Sequence, residues 1–227
     1  MNDKILVVAA HSDDEALGCG GAIAAHAARG DDVAVLFMTD GVASRHGVGL
    51  SEANARRAAS EEALRILGCK HHRRFDFPDN ALDRVALLEV TQAIEGFCGE
   101  WGMPVAVYTH HAGDLNIDHR IVNSATHVCF RPQPHAAGLP RMILSFEVSS
   151  STGWLGTSHN TPFIPNCYKD ITGHLDQKIA ALQAYHEEMR PWPHARSVPA
   201  IEALARMRGS TIGVEAAEAF VIERLIL

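Results

Sequence analysis

The chain lacks the features that mark secreted, membrane-spanning and nucleic-acid-binding proteins. Its N-terminal segment MNDKILVVAAHSDDE has no basic first region and carries acids where a signal peptide would be cleaved. No apolar run approaches the roughly 20 residues that cross a bilayer. Acidic residues outnumber basic ones by 27 to 20, and an acidic surface repels phosphate backbones. We therefore expect a cytoplasmic protein without stable membrane insertion and without a nucleic-acid partner.

Cysteine and aromatic residues are also sparse. The five cysteines, at positions 19, 69, 98, 129 and 167, form no Cys-x-x-Cys pair. An odd, scattered set argues against a disulfide framework and against a cysteine zinc site, and is typical of reduced thiols. Aromatic residues make up 6% of the chain but hydrophobic residues 47%, which is ordinary for a globular protein. A length of 227 residues suits one α/β domain.

Short apolar runs alternate with helical patterns along the first 130 residues. Strands are predicted at residues 5–10, 33–38, 74–77 and 105–109, and helices at 22–29, 51–67, 86–97 and 118–129. This alternation predicts a mostly parallel sheet with right-handed crossovers and helices on both faces. Further on, the pattern predicts a strand at 142–148, a polar loop at 149–166, helices at 174–189 and 200–208, and a strand or helix end at 220–227.

Two polar clusters follow predicted strands, HSDDE at residues 11–15 and DLNIDH at residues 114–119. Because ligands bind beyond the carboxyl ends of parallel strands, we expect both clusters at the same end of the sheet. There His11, Asp14 and His119 would give a zinc ion two nitrogens and one oxygen and leave a position open for water. The sequence therefore predicts a catalytic rather than a structural zinc site.

Neighbouring residues are candidates for the other roles. Zinc lowers the pKa of bound water to roughly 7, and a carboxylate within hydrogen-bond reach can then take its proton. Asp13 is the candidate base, Asp118 is the candidate that orients a ligand from behind, and His194 is the candidate proton donor to a departing amine. Other interpretations stay open here. Acidic residues after a strand usually cap a helix, and a histidine in a proline-rich turn is usually a surface residue.

The glycines of LGCGG at residues 17–21 superficially suggest a dinucleotide-binding loop. The segment lacks the G-x-G-x-x-G spacing, and its acidic neighbours would repel a pyrophosphate. We interpret the glycines instead as letting the backbone pass close to a metal or a sugar.

The segment AAHSDDEALGCGGAIA resembles the first signature of the PIG-L/LmbE-like deacetylase family, and GDLNIDHR is similar to its second signature. TDG at residues 39–41, LGC at 67–69 and FPDN at 77–80 fall between them in the family's order. The resemblance covers about residues 4–129 and is weaker beyond. It implies a Rossmann-like fold in a single domain over residues 1–227. Residues 1–130 would form the core with the metal site, and residues 131–227 would contribute substrate-site elements.

The resemblance also implies roles for individual residues. His11, Asp14 and His119 match the family's metal ligands, and Asp13 matches its catalytic base. Arg56 and Asp79 fall where some members contact the sugar or its phosphate. Asn116 stands where members of a thiol pathway carry a histidine, and we place it among the substrate-binding residues. Ser12 replaces the usual second proline of the first signature, which removes rigidity but no ligand.

The expected activity is zinc-dependent hydrolysis of the N-acetyl group of an amino sugar. An N-acetylglucosamine-type unit, nucleotide- or lipid-linked and from surface glycan biosynthesis, is the expected substrate class. One alternative is a deacetylase of low-molecular-weight thiol biosynthesis, against which Asn116 counts. A sugar-binding protein without turnover is disfavoured by Asp13, and a nucleotide-binding module by the acidic first loop. A homo-oligomer remains open.

Overall fold

The computed structural model describes residues 2–39, 50–133, 138–154 and 161–227. Its strands are β1 (Lys4–Ala9), β2 (Asp32–Thr39), β3 (His71–Phe77), β4 (Ala106–His110), β5 (Met142–Phe146), β6 (Cys167–Asp170) and β7 (Ala217–Leu225). Its α-helices are α1 (Asp14–Ala28), α2 (Leu50–Leu67), α3 (Leu87–Trp101), α4 (Ile117–Cys129), α5 (Leu175–Ala184) and α6 (Val198–Ile212). Short 3₁₀ turns lie at Leu82–Arg84, Thr152–Trp154 and Thr172–His174.

The seven strands form one sheet in the order β3-β2-β1-β4-β5-β7-β6. The first five strands in the chain run parallel, and β7 runs antiparallel to both β5 and β6. Along β1 the odd-numbered residues 5–9 enter one apolar cluster and the even-numbered residues 6–10 enter another. Side chains of α1, α2, α5 and α6 complete the first cluster, and those of α3 and α4 complete the second. The predicted mostly parallel sheet with helices on both faces is confirmed.

The strand order reverses between β1 and β4. These two strands are parallel neighbours, with Leu6 in register with Val107, while β2 lies on the far side of β1 and β5 on the far side of β4. Ligands of open α/β sheets bind in the crevice at such a reversal. The loops that leave β1 and β4 carry HSDDE and DLNIDH, so the topology places both polar clusters side by side.

Helix α1 begins at Asp14, whereas the sequence pattern predicted a loop as far as residue 21. Gly18 and Gly21 inside it serve close packing, while the interpretation of the glycines as letting the backbone pass close to a metal or a sugar stays a prediction. A Cβ at Gly18 would lie 2.2 Å from Cδ2 of Phe146, and one at Gly21 would lie 2.7 Å from Cγ2 of Ile171. Close contact with Phe146 of β5 and with Ile171 after β6 therefore requires residues that local propensity disfavours in a helix.

A buried charge compensates an interruption of α1. Cys19 has non-helical backbone angles, with φ of −147°. The amides of Gly21 and Ala22, which follow it, donate to the Glu218 carboxylate at 2.8 and 2.7 Å. Lys178 donates to the same carboxylate at 2.6 Å, so the charge is paired as burial demands. This network fixes α1 against β7 and α5.

The remaining differences lie at element ends and in the second half of the chain. Strand β3 begins at His71 rather than 74, and α5 ends at Ala184 rather than 189. Strand β6 was not predicted, because its four residues lie half-exposed at the sheet edge and form no apolar run. The C-terminal segment is a strand, β7, rather than a helix end. Parts of the TDG motif at residues 39–41 and of the predicted loop at 149–166 lie outside the described residues.

Replacement of Gly18 tests the packing of α1. We expect Gly18→Ala to lower the free energy of unfolding by about 1–3 kcal/mol, because the added methyl overlaps the Phe146 ring in a filled core. Gly96→Ala is the control, since Gly96 is exposed within α3 and a Cβ there has open space. That variant should gain up to about 1 kcal/mol from helix propensity. Urea denaturation measures both, and equal stabilities would contradict the packing argument.

Candidate active site

Two imidazoles and one carboxylate meet beyond the carboxyl ends of β1 and β4. His11 Nδ1 lies 3.1 Å from Asp14 Oδ2, and His119 Nε2 lies 3.2 Å from the same oxygen. One potential ligand atom from each residue falls within 4.8 Å of the others, and all three residues are buried. The structure thus brings together the three residues proposed as metal ligands, although more than a hundred positions separate His119 from the other two.

Each imidazole contacts a second carboxylate through its other nitrogen. His11 Nε2 lies 3.0 Å from Asp118 Oδ2, and His119 Nδ1 lies 3.2 Å from Asp114 Oδ1. Such carboxylate–histidine pairs fix the ring orientation and direct the opposite nitrogen towards a cation. Asp118, which was predicted to orient a metal ligand, therefore contacts His11 and not its neighbour in the chain, His119. Asp114 has the equivalent place behind His119, a role that sequence reasoning missed although Asp114 opens the DLNIDH cluster.

Backbone amides and hydroxyls hold these two outer carboxylates. The amides of Asn80 and Leu82 donate to Asp118 at 2.7 and 3.0 Å. Ser151 Oγ donates to Asp114 Oδ2 at 3.0 Å, and the hydroxyl of Thr152 donates to the same oxygen. Asp114 and Asp118 are fully buried, so their orientation is fixed by these bonds and by the imidazoles.

The pKa values of the two imidazoles and of Asp114 are shifted because acidic and basic side chains are buried next to one another. Burial opposes the charge on His119, but Asp14 and Asp114 outweigh it and raise its pKa to about 9. Burial also opposes the charge on His11, yet the surrounding carboxylates raise its pKa well above the usual value. Burial would raise the pKa of Asp114, but its bond with His119 dominates and lowers that pKa to about 2. The surrounding carboxylates therefore favour positive charge at both imidazoles.

The site fits a divalent cation. Asp14 Oδ1 is buried and has no hydrogen-bond partner among the described residues, so one ligand-type oxygen is unused. Burial would raise the pKa of Asp14, but the neighbouring imidazoles lower it well below the usual value and keep the carboxylate charged. Two imidazole nitrogens with one carboxylate are the ligand set of a catalytic zinc site. A cation between the imidazoles would place positive charge beside the Asp14 carboxylate.

Asp13 differs from its neighbour in backbone and in partners. It precedes α1 with φ of 114°, a conformation that favours glycine, and its side chain makes no capping bond. The interpretation of this residue as a simple helix cap therefore fails. Arg196 NH1 donates to Asp13 Oδ2 at 2.6 Å, whereas Oδ1 is buried without a hydrogen-bond partner in the described part of the chain. Burial, only partly offset by Arg196 and Arg56, raises the pKa of Asp13.

His110 forms a wall of the site. Its ring stacks on that of His119 with centroids 3.9 Å apart, and its Nε2 accepts the Ala10 amide at 2.8 Å. Its Nε2 is an acceptor and burial lowers its pKa well below the usual value, so the surroundings favour the neutral form of His110. The sequence pattern gave no distinct signal for it beyond its position at the end of β4.

The residues predicted to contact substrate occupy different surroundings. Arg56 is buried, pairs with Glu188 and donates to the Ser12 carbonyl at 2.6 Å. Asp79 is buried, with Oδ1 3.2 Å from His11 Nε2. Asn116 is half-buried and caps α4 by accepting the Asp118 amide at 2.8 Å. Only Asn116 of the three therefore combines partial exposure with a position beside the metal-ligand cluster.

His194 lies on the C-terminal side of the site. Its Nδ1 accepts the Arg196 amide at 3.0 Å, so a neutral ring carries its proton on Nε2. Trp154 meets the ring edge-on with centroids 5.8 Å apart. His194 is thus connected through Arg196 to Asp13 rather than bonded directly to the metal-ligand cluster.

The sequence profile described as PIG-L: GlcNAc-PI de-N-acetylase matches residues 6–130, more than half of the chain. The chain belongs to the PIG-L family. A relative in Escherichia coli (strain K12), the uncharacterized deacetylase YaiS, is 30% identical over 187 residues, which are 80% of this chain and 89% of YaiS. These matches make the protein a hydrolytic deacetylase and confirm the resemblance of the two signatures.

Solved structures extend the likeness to the whole fold. The conserved protein TT1542 from Thermus thermophilus has a TM-score of 0.78 and 28% identity, over 100% of this chain and 97% of its own. The N,N'-diacetylchitobiose deacetylase from Pyrococcus horikoshii has a TM-score of 0.76 and 22% identity, over 97% and 83%. The 4-carboxy-2-hydroxymuconate hydratase GalB shares the fold at a TM-score of 0.73 and 23% identity, over 100% and 98%. Fold alone therefore does not decide the reaction of a PIG-L-like chain.

None of the helices in the described parts of the chain is both long and apolar enough to cross a membrane.

Zinc content tests the metal-ligand cluster. We expect about one zinc per purified chain, and His119→Ala should lose it because a nitrogen ligand is removed. Asp114→Ala should bind zinc about 10–100-fold more weakly, since it removes only the partner that orients His119. Elemental analysis and chelator competition measure both.

His127→Ala is the matched control, because His127 lies on the same helix α4 but outside the cluster. Normal zinc content in His119→Ala would show that the cluster does not hold the metal.

Proposed function

We propose that this deacetylase is zinc-dependent and hydrolyses the N-acetyl group of an N-acetylglucosamine-type amino sugar, nucleotide- or lipid-linked, in surface glycan biosynthesis. The observation that carries the proposal is the arrangement of two neighbouring carboxylates. Asp14 Oδ2 contacts both His11 and His119, while Asp13 beside it has an unpartnered oxygen. A metal ligand and a base are thus adjacent without competing for the same groups.

Zinc held by His11, Asp14 and His119 would lower the pKa of water and polarise the acetamide carbonyl. The protein's own step is proton transfer at Asp13. Its free Oδ1 takes a proton from the attacking water, the water oxygen bonds to the acetamide carbon, and the carbon–nitrogen bond then breaks. The products are acetate and the free amine, so water and the amide are consumed in equal amounts.

The departing amine needs a proton, and His194 is our proposed donor. Because Nδ1 accepts the Arg196 amide, the ring must first take a proton on Nδ1 with loss of that bond; the cationic ring then gives its Nε2 proton to the amine, and the proton that Asp13 took from water restores the balance. The ring is half-buried beside Trp154, which limits its rotation and leaves it accessible to a ligand. Substrate contacts proposed for Arg56, Asp79 and Asn116 rest on the family resemblance, and the partly exposed Asn116 is the best placed of the three.

Support for an amino-sugar substrate comes from the family description and from the diacetylchitobiose deacetylase among the structural neighbours. A cytoplasmic location is part of the proposal, and the five free thiols support it because reducing compartments keep cysteines unpaired.

An acetate-release assay tests this function. The panel holds N-acetylated sugars in free, nucleotide-linked and lipid-linked form, together with an N-acetylated glycoside of the thiol-biosynthesis class. We expect acetate from at least one sugar of the first group. Asp13→Asn should retain zinc but lower kcat by about 10²–10⁴-fold, because the amide cannot accept the proton.

Asp76→Asn is the matched control, since Asp76 is an exposed aspartate on β3 away from the cluster and should turn over at the native rate. Turnover of only the thiol-class glycoside would select that alternative. Acetate from no member of the panel would favour a binding protein. A native rate in Asp13→Asn would remove Asp13 from the mechanism.

A further inference from the structure

Asp13 belongs to a closed ring of four charged side chains, three of them buried and one, Arg196, half-buried. Arg196 NH1 donates to Asp13 Oδ2 at 2.6 Å and lies 3.5 Å from Glu188 Oε2. The other oxygen of Glu188 pairs with Arg56 NH1, and Arg56 NH2 lies 3.7 Å from Asp13 Oδ2. We call these four residues the Asp13 ring. Two acids alternate with two guanidinium groups, so the ring is electrically neutral.

Burial makes this neutrality necessary. Asp13, Arg56 and Glu188 are each exposed by less than a tenth, and a buried charge without its partner is strongly destabilising. The side chain of Arg196 is 23% exposed and is the member nearest to solvent. Arg196 therefore closes the ring on the side from which a ligand would approach.

Arg196 also connects the base to the metal side of the site. Its Nε donates to Ser150 Oγ at 2.8 Å. The next two residues, Ser151 and Thr152, donate to Asp114, which contacts His119. One arginine thus bonds both to the base and to the segment that orients a metal ligand.

We propose that Arg196 is the positioning residue for Asp13. The proposal rests on the function proposed above. Arg196 binds Oδ2, so the carboxylate cannot rotate and Oδ1, which has no hydrogen-bond partner within the described residues, stays directed towards the reacting water. A carboxylate free to rotate would lose the alignment that proton transfer requires. Arg196 acts through Asp13 and does not itself touch the reacting atoms.

A double-mutant cycle with Asp13→Asn tests the proposal in the zinc-loaded protein. Arg196→Met should retain zinc and lower kcat by about 10–100-fold with KM nearly unchanged, because misplacement of the base affects the reaction and not binding. Arg196→Lys should recover part of kcat. In the Asp13→Asn background, Arg196→Met should change the residual rate by less than about 2-fold, since the group that Arg196 positions is already absent.

Arg190→Met is the matched control, because Arg190 is an exposed arginine of the same C-terminal segment and, among the described residues, its side chain donates to backbone carbonyls alone. It should leave kcat, KM and zinc content unchanged. A rise in KM with kcat preserved would make Arg196 a substrate-binding residue and overturn the proposal. An equal loss in the native and Asp13→Asn backgrounds would overturn it as well.

A crystal structure of zinc-loaded Arg196→Met gives a readout that does not need turnover. We expect the Asp13 carboxylate to have rotated while His11, Asp14 and His119 superimpose on the native positions. An unmoved Asp13 carboxylate would overturn the positioning role. Failure of the native enzyme to release acetate would instead contradict the proposed function, so the two failures are distinguishable.

Discussion

The site depends on the burial of the Asp14 carboxylate without contact to solvent. A buried charge must be paired, and the chain meets this need with His11 and His119, which come from the loop after β1 and the start of α4. The imidazoles are buried too, and each is paired with a further carboxylate, His11 with Asp118 and His119 with Asp114. Protons on the imidazoles or a cation between them satisfy the same electrostatic requirement. This arrangement of charges is therefore suited to binding a metal cation.

Adjacent aspartates acquire opposite surroundings because the helix begins between them. Asp13 has a left-handed backbone, whereas Asp14 is the first residue of α1, so their side chains leave the chain in different directions. Asp14 faces imidazoles, which lower its pKa, while burial raises the pKa of Asp13 beside two guanidinium groups. Two carboxylates whose environments differ in this way are suited to different tasks. The backbone strain at Asp13 is the structural cost of this separation.

Much of the fold and the inner part of the site could be predicted from the sequence. Apolar runs locate β1 and β4, and the rule for ligands at the carboxyl ends of parallel strands brings residues 11, 14 and 119 together. The Asp13 ring could not be predicted, because Arg196 and Asp13 are 183 positions apart and nothing local marks their contact. The early start of α1 was missed for a related reason. Its glycines are explained by Phe146 and Ile171, which lie far away in the sequence.

The metal-ligand residues and the groups that orient the site are distributed unequally along the chain. The proposed metal ligands, and the carboxylates of Asp114 and Asp118 that contact the two imidazoles, all lie within residues 11–119, inside the segment that matches the family profile. Ser151, Thr152 and Arg196, which orient Asp114 and Asp13, follow that segment, whereas the Asn80 and Leu82 amides that hold Asp118 lie inside it. Ligand identity depends on side-chain type and can be read from a motif, whereas orientation depends on how later elements pack against the sheet. The elements after the matched segment therefore contribute to the site by orienting groups that the segment supplies.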